Sequence, residues 1–136
     1  MRNQEWLNYR FDKIWELFFP DTPKKNVYVT FKGKWKYKFG HIKKTRKGTE
    51  IAINSLFEDT RVPEYIVQIT IAHEIVHYMH GFFSHLPKQY KYPHKGNVVN
   101  KELIKKGFNY ALKQQKSWIK NEWLNLYNEL RNNKLF

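Results

Sequence analysis

His73-Glu74-Ile75-Val76-His77 combines residue types and spacing suited to metal-assisted hydrolysis. On a helix, histidines four apart stand one turn above each other on the same face, so both imidazoles can reach a single Zn²⁺. At 3.6 residues per turn, Glu74 is turned by about 100° from His73 and about 60° from His77. That places its carboxylate beside the metal rather than on it, where a general base for an attacking water belongs. The bland alternative is a pair of core histidines bonded to neighbours with Glu74 in a salt bridge.

The run Val62-Pro63-Glu64-Tyr65-Ile66-Val67-Gln68-Ile69-Thr70-Ile71-Ala72 leads directly into the motif and must position it. Proline needs no N–H in a first helical turn and Glu64 complements the dipole there, which predicts a helix starting near Pro63 with Thr60 or Val62 near its cap. Apolar residues fall almost all round it, so the helix is expected to be buried. Gly81 ends the pattern as a C′ glycine does. Polar atoms of a His-Glu-His set on a buried helix need partners, and a metal with water supplies them.

A catalytic zinc needs a third protein ligand and an open fourth position. Downstream stand His80, His85, His94 and Glu102. His80 shares the helical face of the pair, but three ligands along one straight helix cannot converge on one ion. His85 invites comparison with the metzincin spacing HExxHxxGxxH, from which Gly81 and His85 are both displaced. Glu102 fits the gluzincin plan of a carboxylate on a following helix. His94, in Tyr92-Pro93-His94-Lys95-Gly96-Asn97, lies at a loop-to-helix junction from which a ligand can swing back over the first helix. It is the favoured candidate among the four.

The stretch from about 27 to 107 resembles the SprT-like zinc metalloprotease domain, a zincin family related to Spartan. The resemblance rests on the strand ending Ile51-Ala52-Ile53-Asn54, the HExxH helix, the loop after it, and a histidine followed closely by glycine in His94-Lys95-Gly96. Directly after that histidine and four residues beyond it, where the family commonly has a glycine and an aromatic, stand Lys95 and Val98. There is no cysteine for the zinc ribbon many members carry. The resemblance implies a zincin-like fold with one catalytic zinc at His73, His77 and His94 and Glu74 as general base. It further implies peptide-bond hydrolysis on DNA-associated or DNA-crosslinked proteins.

The 136 residues suit one α+β domain, with a core about 27–107 and terminal helices about 4–19 and 108–131. Three strands are expected: Val27 to Phe31, Trp35 to Ile42, and Thr49 to Asn54, with Lys43 to Gly48 as a loop. Phe82 to Asn97 reads as a long irregular segment of the kind that faces substrate, and it offers Tyr90, Tyr92 or His85 as a further oxyanion donor. A helical pattern runs from about Val98 to Lys106. The terminal helix should carry Leu112, Ile119, Trp123, Leu126 and Leu130 on one stripe. Absence of cysteine excludes disulfides and thiolate metal sites. With no apolar stretch of membrane length and no signal peptide, a cytoplasmic, soluble monomer is expected.

Net charge is +13 and the pI about 9.8. No acidic residue falls between Thr22 and Thr49, while cations crowd that segment. Lys34-Trp35-Lys36-Tyr37-Lys38-Phe39 alternates strictly, and as a strand would set three lysines on one face against three aromatics on the other. Lys34, Lys36, Lys38, Lys43, Lys44, Arg46 and Lys47 are therefore candidate contacts for DNA, single-stranded DNA above all. The competing reading is a solvated basic edge with its aromatics in the core.

Overall fold

The computed structural model describes residues 1–132. It is an α+β fold in which helices cover a mixed three-stranded sheet. Helix α1 (Gln4–Phe18) precedes β1 (Val27–Phe31), β2 (Gly40–Thr45) and β3 (Gly48–Ile53). The motif helix α2 (Glu64–Met79) follows, then α3 (Val98–Lys105), α4 (Asn109–Trp118) and α5 (Leu124–Asn132). No helix among the described residues is long and apolar enough to cross a membrane.

Helix α1 starts where the Asn3 side chain accepts the Trp6 N–H at 2.8 Å. Leu7, Phe11, Ile14 and Trp15 recur at helical spacing and are buried. They lie against β1 and α2 in one apolar cluster with Val29, Ile51, Ile66, Ile75 and Leu103. The central strand β3 is buried along nearly its whole length.

Strand order is β1-β3-β2, with β1 parallel and β2 antiparallel to β3. This topology corrects the expected strand from Trp35 to Ile42. Phe31 and Gly40 both pair with Ile53, so the chain leaves β1 and enters β2 at the same end of the sheet. Residues 32–39 must arch over the end of β3, a span of about two strand spacings, or roughly 10 Å. Gly33 turns the chain with φ of 80°. The Asn54 amide then holds the arch by donating to Trp35 O at 2.8 Å and Lys38 O at 2.9 Å. Hence the alternation in Lys34 to Phe39 does not sort onto two faces: Tyr37 is exposed, whereas Phe39 packs on Phe57, Trp118 and Trp123. The expected loop from Lys43 to Gly48 shrinks to a turn at Arg46 and Lys47.

The terminal stripe also needs correction. Between α4 and α5 the helix continues through a π-helical turn, Ile119–Trp123. Its wider hydrogen-bonding step brings residues five apart onto one side, so Trp118 and Trp123 are both buried, 5.4 Å between ring centroids. Ile119 is turned outward and exposed.

Candidate metal centre

Helix α2 is fixed at both ends. Ahead of it, the buried Arg2 guanidinium donates to Phe57 O at 2.9 Å, Asp59 O at 3.1 Å and Val62 O at 2.7 Å. Pro63 is the N-cap, with Val62 beside it, and Arg10 pairs with Glu64 in the first turn. At the far end Gly81, with φ of 88°, closes a Schellman motif: Phe82 N–H donates to His77 O at 2.9 Å and Gly81 N–H to Tyr78 O at 3.0 Å. A side chain on Gly81 would strike Pro87 O at 2.3 Å, so only glycine lets the following loop fold back over the helix end.

That fold-back carries His94 to the motif. The ligating nitrogens of His73, His77 and His94 all lie within 4.8 Å of one another. His73 Nε2 and His77 Nε2 are 3.2 Å apart. Two nitrogens on one tetrahedral zinc are about 3.3 Å apart, given Zn–N bonds near 2.0–2.1 Å. The His94 ring stacks at 30° on His73 and stands at 87° to His77.

The other candidate ligands are engaged elsewhere. His85 Nδ1 is 3.0 Å from the Tyr78 hydroxyl, which also donates to Lys25 O. His80 is buried under Tyr90, 4.8 Å between rings. Glu102 lies 3.7 Å from Lys106. None of the three joins the cluster.

Burial dominates the electrostatics. It pushes His73 down to about 4, with the neighbouring His94 adding to the shift. It pushes His77 down to about 3, helped by His73, His94 and His80. Both rings are therefore neutral at pH 7, the form that ligates. Glu74, only 5% exposed, is pushed up to about 8 by burial, with the Lys38 charge pulling the other way. The buried Nδ1 atoms of His77 and His80 have no hydrogen-bond partner among the described residues. His77 thus lacks the carbonyl or carboxylate that usually orients a ligating ring, and Phe82 packs edge-on against it at 6.2 Å instead. The donor set fits zinc: two neutral nitrogens already at bonding separation and a third close by.

Room around Glu74 comes from Gly40, which sequence reading absorbed into a strand. A Cβ there would meet Glu74 Oε2 at 3.2 Å and Ala52 O at 3.0 Å. Gly40 opens β2, and β2 is an edge strand, so its outer backbone groups have no strand partner among the described residues. Gly40, His73 and Glu74 line two adjoining cavities of about 400 and 250 Å³.

The basic candidates do not form one stripe. Lys38 lies over the Trp35 ring at 4.6 Å and Lys36 over Tyr37 at 5.4 Å. Lys43, with Lys32 and His41, surrounds the buried Glu50 carboxylate. Lys34 is exposed on the arch, and Lys44, Arg46 and Lys47 are exposed around the β2–β3 turn. Compared with family models, with curated proteins and with solved structures, the chain matches none.

Proposed function

We propose that this chain is a zinc metallopeptidase, holding one zinc through His73, His77 and His94 and hydrolysing peptide bonds with Glu74 as general base. The convergence of three histidine nitrogens beside a buried glutamate carries the reading. Three nitrogen donors, with no fourth protein ligand among the described residues, is the count of a catalytic site, whereas a structural zinc is closed by four. Zinc when bound supplies Lewis acidity, polarising the carbonyl and lowering the pKa of water toward ~7.

The chain's own residues do the rest. Glu74 takes a proton from the attacking water and passes it to the amine nitrogen as the C–N bond breaks, leaving a carboxylic acid and an amine. Its burial, which raises its hold on a proton, suits that shuttle. The open edge of β2 offers an extended peptide backbone hydrogen bonds beside the site, which favours a polypeptide over a small amide as substrate.

The resemblance to the SprT-like domain and the +13 charge support DNA-associated or DNA-crosslinked proteins as substrates. A second reading, a peptidase whose basic surface only solubilises, gains from Lys32 and Lys43 being paired with Glu50. Hydrolysis of an unfolded protein by the zinc-loaded chain, abolished in Glu74→Gln, tests the chemistry. Retained turnover in that variant would exclude Glu74 as the base. Stimulation by single-stranded DNA that fades at high salt selects the first reading, and indifference to DNA selects the second.

A further inference from the structure

Phe83 adopts φ of 56°, a left-handed conformation that bulky residues rarely take. Burial does not compensate for it. The Phe83 side chain is 50% exposed, while its neighbour Phe82 is 7% exposed and packs on His77. Something nevertheless holds it: the buried Thr49 hydroxyl donates to Phe83 O, and Ser84 Oγ donates to Tyr78 O at 2.8 Å. The strained residue is thereby fixed at the mouth of the cavity of about 250 Å³ that also contains His73, His77 and His94. Ile42 and Pro93 line the same cavity. Its volume is small for a whole ligand and is shared with the metal site, so its apolar wall has room for one side chain.

We propose that Phe83, with Ile42 and Pro93, forms a specificity site that takes one large apolar side chain of an extended polypeptide next to the scissile bond. The inference rests on the peptidase reading and deepens it by naming the substrate class. Large apolar side chains are mostly buried in folded proteins. The preferred substrates are therefore unfolded or locally opened segments bearing an aromatic or large aliphatic residue. An exposed aromatic ring on a strained backbone gives the chain an apolar surface at the site that a substrate side chain would cover.

The test uses zinc-loaded protein and a peptide set in which each position around the cleavage point is either Phe or Gly. Wild type should prefer Phe at one position. In Phe83→Gly the backbone strain is relieved, so stability and zinc content should hold or rise. That preference should fall by about tenfold or more, the scale of discrimination by an apolar pocket, and Phe83→Leu should restore part of it. An undiminished preference in a Phe83→Gly protein with full zinc content overturns the inference. If wild type cleaves no peptide, the peptidase reading fails by itself. Binding of the same peptides to zinc-loaded Glu74→Gln, with and without Phe83→Gly, then decides the inference separately: weaker binding of the Phe peptide supports Phe83, and equal binding overturns it.

Discussion

Replacing Glu74 by glutamine should change how the metal-free protein responds to pH. Burial raises this carboxyl from its ordinary 4.5 to about 8. Between those values the unfolded chain has released the proton and the folded chain still holds it, so stability falls as pH rises. Each pH unit of that window is worth about 1.4 kcal/mol, so the full loss approaches roughly 4 kcal/mol by pH 8, with Lys38 already counted in the raised value. His73 and His77 act in the opposite sense. Depressed to about 4 and about 3, they lower stability as pH falls below 6.5, because only the unfolded chain takes up their protons there. Both variants share that effect, and it cancels in their difference. Urea unfolding of chelator-treated wild type and Glu74→Gln at pH 5, 6, 7 and 8 measures it. The glutamine variant should gain on wild type steadily, by a few kcal/mol across the range. Zinc should recover the wild-type loss, since a nearby cation favours the ionised carboxylate. Parallel stability curves for the two proteins would refute the burial argument.

Gly40→Ala crowds Glu74 Oε2 at 3.2 Å and should lower turnover about tenfold, measured with zinc content unchanged. Arg2→Ala strips three carbonyls of a buried charged donor and should cost about 3 kcal/mol in urea unfolding, a large effect for a residue next to the N-terminus. Charge reversal at Lys44, Arg46 and Lys47 should weaken binding of single-stranded DNA and flatten its salt dependence in a fluorescence titration, by about 0.7 in slope for each phosphate no longer neutralised.

How much of this was legible in the sequence differs from element to element. Helix α1 announces itself by apolar periodicity over fifteen residues and Pro20 just beyond its end, and α2 by a long apolar run opened by Pro63 and closed by Gly81. The site pair is local, one turn of one helix. His94 was reachable because it stands at the junction before α3, but what brings it home, the packing of Pro87 and Lys88 on Gly81, is tertiary. Within the arch, Trp35 to Phe39 reads as a strand because alternation does not report which strand a segment can pair with. Its fate is set by Asn54, sixteen and nineteen residues away. The acid-free stretch ends just before Glu50, the carboxylate on which Lys32, His41 and Lys43 converge. The π-helical turn leaves two tryptophans five apart as its only trace, a spacing that fits neither common period. Arg2 gave no signal, since its acceptors are backbone carbonyls 55 to 60 residues distant.

Calorimetric zinc titration of the metal-free chain bears most directly on the central claim, run on wild type, His94→Ala and Glu102→Ala. One zinc per wild-type chain is predicted, with affinity weakened on the order of a hundredfold or more in His94→Ala and unchanged in Glu102→Ala. A wild-type protein that takes up no zinc, or a His94→Ala variant that binds it as tightly as wild type, would contradict the account.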